Sequence, residues 1–293
     1  KRLKEEVKQF SLNLDHNVAL LQQEIISGNV KVGSYHYFTI HDPKERMICA
    51  ASFRERVLHH AIMNVCHDYF DRSLIADTYA TRKGKGVYAA LDKVCSSISP
   101  NQWLCKLDVR KYYDSIDHGI LKKMLERKFK DPRLLHIFFL IIDSYESVEG
   151  KGLPIGNLTS QYFANMYLSG LDHYAKEILK VKLYVRYMDD ILMAFNEKAT
   201  MKETEHCLRT YAETHLLLEL KPPVCAKGKT GSVFLGYRVS PNCLKLSGRS
   251  KRRFRSKYTM YKKKLELGVF SEREYQIHLL PLLAFVLHAN SKC

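Results

Sequence analysis

The sequence predicts an α+β protein of two or three subdomains, and two observations carry that prediction. Apolar segments of helical period alternate with short β-branched and aromatic runs along the chain. The 293 residues also have 46% hydrophobic content, enough for a substantial core, with no internal repeat or low-complexity linker to break it up.

Leu14, Val18, Leu21 and Ile25 recur at helical spacing up to Gly28-Asn29, where an amphipathic helix should end. Residues 30–40 read as strand, residues 41–46 as a turn and residues 47–51 as a second strand, giving a hairpin whose basic tip carries Lys44 and Arg46. Residues 53–70 follow as a helix, with apolar positions 53, 57, 61, 62 and 65 opposite Arg54, Arg56, His59 and His60. The two histidines lack ligand spacing and are assigned to packing or phosphate contact. Residues 81–86, Thr-Arg-Lys-Gly-Lys-Gly, form a loop before a helix starting near Val87, where backbone amides and the cations Arg82 and Lys85 can meet phosphate.

Residues 103–109 read as a strand with Asp108 at its end, and Ser115 or Asp117 can cap the helix that runs through Leu125. An irregular loop over residues 150–157 leads into a helix over 158–171, with Gln161 in its first turns. Residues 184–195, Tyr-Val-Arg-Tyr-Met-Asp-Asp-Ile-Leu-Met-Ala-Phe, form a tight hairpin, because Asp-Asp suits a turn and its neighbours suit strands. A helix over 201–217 and a strand over 232–239 follow. From Leu244 to Lys264 there are ten Lys or Arg and no acid, interleaved with Phe254, Tyr258 and Tyr261. That is the pattern of a helix lying on a phosphate backbone, with Arg249, Lys251, Arg252, Arg253 and Arg255 as candidate nucleic-acid contacts.

Lys and Arg exceed Asp and Glu by 47 to 31, a formal charge of +16 that points to a polyanionic partner, nucleic acid first. The longest apolar runs, such as residues 137–142, are far short of a membrane span, and no basic amphipathic helix or signal peptide opens the sequence. The first residue is Lys, which leaves the native start open. The eight cysteines are scattered, with no Cys-x-x-Cys pair, which argues against zinc and a disulfide framework. They read as reduced thiols of a cytoplasmic protein.

The chemistry is concentrated at Asp189 and Asp190. Two anions between apolar strands repel each other and lose hydration, so they call for cations, and a divalent metal site is a natural inference. Asp108, 81 positions earlier at another strand end, supplies a third carboxylate. Carboxylates from separate strands at one sheet edge are what two-metal phosphoryl transfer requires.

With these residues in view, Tyr187-Met188-Asp189-Asp190 resembles the signature hairpin of reverse transcriptases. Asp108 with Tyr113 resembles their first palm motif, and residues 152–161, Gly-Leu-Pro-Ile-Gly-Asn-Leu-Thr-Ser-Gln, their template and nucleotide motif. Residues 234–237 resemble the primer-grip region, and residues 53–57 with 81–86 the fingers motifs of bacterial members. The similarity covers nearly the whole chain in order. Within the family it is closest to the enzymes of diversity-generating retroelements, since Ile155-Gly156 and Ser160-Gln161 match their form of the motif. A retron-like or defence-associated reverse transcriptase is the alternative, and a non-catalytic RNA-binding scaffold is the rival from another class.

The resemblance implies a right-hand polymerase: fingers over 1–102, palm over 103–125, a fingers/palm insertion over 126–155, palm again over 156–239, and a short helical thumb over 240–293. It implies RNA-templated DNA synthesis with two Mg²⁺ ions, Mn²⁺ substituting, on Asp108, Asp189, Asp190 and the Val109 carbonyl. Tyr113 would exclude a 2′-hydroxyl, and Lys44 and Arg46 would grip the dNTP triphosphate. Ile155, Gly156 and Gln161 would touch the templating pair, Ile155 going with loose base selection opposite template adenine. Arg54, Arg82 and Lys85 would serve phosphates or template, and Lys221 or Lys227 would be the general acid. Implied partners are template RNA, cDNA primer and product, a structured retroelement RNA and a small basic accessory protein oligomer, in the cytoplasm of a bacterial or phage-infected cell, with no membrane.

Overall fold

The computed structural model describes residues 2–41 and 45–289. Its chain forms two compact units. The first contains Lys1–Ala76, Val109–Tyr174 and Leu208–Leu220, and the second Asp77–Asp108, Ala175–Cys207 and Lys221–Cys293.

In the first unit, helices Arg2–Leu12 and Leu14–Ser27 lead to the hairpin of β1 (Tyr35–Ile40) and β2 (Arg46–Ala51). The strand expected from residue 30 starts only at Tyr35. The amides of Gly33 and Ser34 donate instead to the Glu55 carboxylate, at 3.1 and 3.2 Å. Helix Phe53–Asp71 begins where Ser52 accepts a hydrogen bond from the Glu55 amide. Its inward face is not the one read from the sequence. Leu58, His59, Ile62, Met63, Cys66 and Phe70 are buried, while Val65 is 74% exposed. The true stripe repeats at 55, 58/59, 62/63, 66/67 and 70, and it takes in Glu55, His59 and His67, the last bonded to the Tyr162 hydroxyl at 2.8 Å. Glu55 is bound by two amides, and burial pushes His59 down to about 4, which keeps it neutral at physiological pH.

Helices His118–Lys128, Pro132–Asp143 and Leu158–Tyr167 complete this core. Of the two candidate caps, Asp117 is the one used, accepting from the Ile120 amide at 3.0 Å, whereas Ser115 donates to carbonyls behind it. Phe70, Phe129, Phe138 and Phe163 meet with ring centroids 5.0 to 6.1 Å apart.

In the second unit, β3 (Trp103–Leu107), β4 (Leu183–Tyr187), β5 (Asp190–Phe195) and β6 (Val224–Lys227) form an antiparallel sheet in the order β4-β5-β3-β6. Helix Val87–Ser97 covers one face, packing Ala90, Leu91 and Val94 against Leu104, Leu183, Val185, Leu192 and Ala194. The strand expected over 232–239 is instead a hairpin of β7 (Ser232–Phe234) and β8 (Tyr237–Ser240), continued by β9 (Cys243–Leu246). Leu235 and Gly236 both have positive φ, 48° and 88°, the backbone of a tight two-residue turn. Helices Gly248–Glu266 and Glu272–Leu287 end the unit, capped by Ser247 and by a Ser271–Glu274 capping box. The Tyr237 hydroxyl donates to the Phe285 carbonyl at 2.5 Å and ties the last helix to β8. Among the described residues, no helix is long and apolar enough to cross a membrane.

Phe138 is fully buried amid three other rings. Phe138→Ala should therefore destabilise the protein by about 3–5 kcal/mol, read from urea denaturation. A change below about 1 kcal/mol would contradict the packing described.

Candidate active site

The candidate site lies at one end of the second unit's sheet. Tyr187 pairs with Asp190, so Met188 and Asp189 form the two-residue turn between β4 and β5. Met188 takes φ 53°, a conformation that costs most side chains energy and that two-residue hairpin turns require. Arg186, buried completely on β4, donates from Nη1 to the Met188 carbonyl at 3.0 Å and holds the turn. Its backbone also bonds Asp77 and Tyr79, which tethers the segment before the basic loop to β4.

Three carboxylates meet at this edge. β3 pairs with β5 up to Leu107 opposite Ile191, so one more step in register sets Asp108 opposite Asp190. Lys106 lies opposite Leu192, two residues from Asp190 on the same face, and its Nζ is 2.9 Å from the Asp190 carboxylate. Lys221 holds Asp108 twice: its amide donates to the Asp108 carbonyl at 2.9 Å and its Nζ to the carboxylate at 2.5 Å. Asp189 is raised to about 6, first by burial and then by the neighbouring Asp190, with Asp108 adding to the effect and Lys221 opposing it. The edge is thus an anionic cluster whose repulsion is only partly met by two lysines.

Lys106 was not legible as a site residue in the sequence, because its role depends on the non-local register of β3 and β5. Arg186 left a weak signal as an arginine inside an apolar strand. Of the two lysines that were candidates for a proton donor, Lys221 lies at the carboxylates. Lys227 lies elsewhere in the sheet, its Nζ 3.9 Å from the centre of the Trp103 ring.

The first unit brings together a different subset. The Leu153 amide donates to the Tyr113 carbonyl at 2.8 Å, the Cys49 amide to the Ile155 carbonyl at 2.9 Å, and the Ala51 amide to the Asn157 side chain at 3.1 Å. These bonds fasten the loop carrying Ile155 and Gly156 to β2 and to the segment carrying Tyr113. Gly156 has φ 120°, and a Cβ there would stand 3.0 Å from the Ile48 side chain, so glycine is required. Gln161 is half-buried in helix Leu158–Tyr167. Val109 is buried and its backbone bridges Leu220.

The candidate phosphate contacts fall into three groups. Arg46 is exposed at the start of β2, and Arg249, Lys251, Arg252, Arg253 and Arg255 are exposed along helix Gly248–Glu266. Arg54 is committed to Glu24 and the Lys31 carbonyl, and Arg82 and Lys85 fold back onto Thr78. Lys44 lies outside the described residues.

The profile of the family described as reverse transcriptase (RNA-dependent DNA polymerase) matches residues 40–239, a span that contains all three carboxylates. The chain belongs to the reverse transcriptase family. A protein of COX1/OXI3 intron 1 of Saccharomyces cerevisiae is 21% identical over 170 residues, covering 55% of this chain and 20% of the yeast protein. The group II intron-encoded protein LtrA of Lactococcus lactis is 21% identical over 147 residues, covering 48% of this chain and 24% of LtrA. The chain thus matches only about a fifth to a quarter of these longer proteins. Among solved structures, apo telomerase from Candida tropicalis superposes with a TM-score of 0.57 at 12% identity, over 79% of this chain and 52% of the telomerase chain, a likeness of fold.

The raised Asp189 carboxyl makes this reverse transcriptase sensitive to pH. A carboxyl raised in the folded state from its ordinary value near 3.8 to about 6 binds more protons folded than unfolded in that interval. Its contribution to stability is fully present below about 3.8 and is lost as pH rises through about 6. In metal-free protein, the thermal midpoint of wild type relative to Asp189→Asn should therefore fall between pH 4 and pH 7. Parallel curves would contradict the clustering of charge at this turn.

Proposed function

We propose that this chain is the catalytic part of an RNA-directed DNA polymerase that copies a retroelement template RNA into cDNA. One observation carries the reading: Asp108, Asp189 and Asp190 converge at one sheet edge with their charge only partly neutralised. The fingers, palm and thumb division inferred from the sequence is part of the same proposal.

Among the described residues, no group of three His, Cys, Asp or Glu side chains is arranged as a ready metal site. Asp108 and Asp190 are each paired with a lysine, Lys221 and Lys106 respectively. The donor set nevertheless fits hard divalent cations, being three carboxylates with a backbone carbonyl at Val109 beside Asp108. Asp108, Asp189, Asp190 and Val109 would hold two Mg²⁺, or Mn²⁺ in their place. When bound, such ions lower the cost of charge developing on the attacking and leaving oxygens.

The chain's own residues supply the rest. Lys106 and Lys221 orient Asp190 and Asp108, and Lys221 is the proton donor to the departing pyrophosphate. Tyr113 excludes a 2′-hydroxyl and so selects dNTPs over NTPs. Arg46, with Lys44, grips the triphosphate, and the exposed arginines of helix Gly248–Glu266 hold the primer–template duplex by its phosphates.

The finer assignment, to a diversity-generating retroelement, rests on Ile155. Its backbone is fixed to β2 and its side chain offers no hydrogen bond to a template or an incoming base. A mismatch therefore forfeits less there than it would beside a glutamine. A structured retroelement RNA and a small basic accessory protein oligomer are the partners this assignment implies.

Primer extension on a defined RNA template, with Mg²⁺, dNTPs and sequencing of the cDNA, tests both levels. Asp189→Ala should lower extension by at least about a hundredfold. Wild-type errors should concentrate opposite template adenine, and Ile155→Gln should reduce them roughly tenfold. Accurate copying by wild type would remove the diversity-generating assignment and leave the polymerase. Extension that survives Asp189→Ala would remove the polymerase.

A further inference from the structure

At the other end of the same sheet is a cationic cluster that the proposed reaction does not use. Trp103 pairs with Phe195, five residue steps along β5 from Asp190, or about 17 Å from the carboxylates. Lys227 Nζ lies 3.9 Å and Lys198 Nζ 5.0 Å from the centre of its ring. Two ammonium groups gathered at one indole are held by the ring quadrupole, yet they repel each other. Lys180, Lys182, Lys198 and Lys229 are all exposed, and among the described residues none of them has an ion-pair partner. Nearby Lys176 differs in being committed to Asp77 at 2.9 Å.

The surroundings are suited to more than counterions. A cavity of about 500 Å³ at this end of the sheet is lined by Gln102, Lys180, Lys182, Asn196, Glu197 and Thr200, and by Phe195, the residue that pairs with Trp103. Gln102 adjoins Trp103 in the chain and donates to the Asn196 side chain at 3.2 Å. Helix Lys198–His215 starts here with no acidic residue in its first turn, and Glu197 just before it is the acidic group at its positive end. The cluster thus offers cations for phosphates, amide and hydroxyl groups for base edges, and an indole whose ring the two ammonium groups cover until phosphates draw them off. Single-stranded nucleic acid is bound by this combination, whereas an acidic peptide would use the lysines alone.

We propose that a single-stranded polyribonucleotide segment docks across this sheet end, its phosphates on Lys180, Lys182, Lys198, Lys227 and Lys229, with a base taking the place of an ammonium group on the Trp103 ring. The site is independent of whether the carboxylates catalyse polymerisation. It would let the protein hold an RNA at a point remote from the one it copies.

Trp103 is the only tryptophan in the chain, so its fluorescence reports on this site alone. Titration with oligouridylate should quench Trp103 emission. For about four phosphates engaged, log affinity should fall against log salt with a slope of about −2.8. Lys180→Glu with Lys182→Glu and Lys198→Glu should weaken the quenching titration at least tenfold. The milder pair Lys182→Gln and Lys198→Gln, which removes two charges with little risk to folding, should flatten the slope by about 1.4. The proposal fails if Trp103 emission is unmoved while anisotropy shows a labelled oligouridylate bound, since the RNA then sits elsewhere on this basic protein. It also fails if the milder pair titrates like wild type, or if oligoglutamate of equal charge quenches equally well, which would assign the surface to an acidic protein.

Discussion

The mutual repulsion of Asp189 and Asp190 at a two-residue turn is the interaction on which the second unit's architecture depends. Carboxylates adjacent in a turn cannot be buried without cations, and Asp108 on the neighbouring strand adds a third anion. The sheet answers with Lys106 from β3 and Lys221 from just before β6. Arg186 secures the turn from inside β4, and Met188 accepts a left-handed backbone so that the two-residue turn can close. Arg186 apart, the remaining length of β4 and β5 is largely buried and apolar, and this packing holds the strained tip in place.

The first unit solves a different problem, that of fixing a loop of irregular backbone. Residues 152–157 bond to β2 and to the Tyr113 segment, largely through main-chain groups, and this fixes the backbone that carries Ile155 and Tyr113. Gly156 is needed because its φ of 120° suits glycine alone, and a Cβ would also crowd the Ile48 side chain of β2. Both units therefore place their candidate functional side chains on backbone that is held by other residues, the usual condition for a pre-organised site.

Much of this was legible in the sequence where the signal was local. The hairpin over 184–195 and the position of Asp108 follow from Asp being poor strand material between runs of β-branched and aromatic residues. Non-local facts were hidden. Lys106 acquires its partner only through the β3–β5 register, and choosing between Lys221 and Lys227, six residues apart, requires knowing where pairing with β3 begins. The helix after Ser52 was read with the wrong face because its buried stripe includes Glu55 and His59, which look like surface residues until their burial is seen. Residues 232–239 look like one strand because Leu235 gives no sign of the positive φ that turns the chain there.

The function proposed for this chain requires the edge bearing Asp108, Asp189 and Asp190 to exchange its lysine contacts for divalent ions. Its most direct test is Mn²⁺ binding followed by electron paramagnetic resonance of the free ion, in wild type and in Asp189→Asn, across pH. The account predicts binding in wild type that weakens as pH falls through about 6, where Asp189 takes up its proton, and that is lost or much reduced in the variant. Binding that is equal in both proteins, or indifferent to pH over that range, would contradict it.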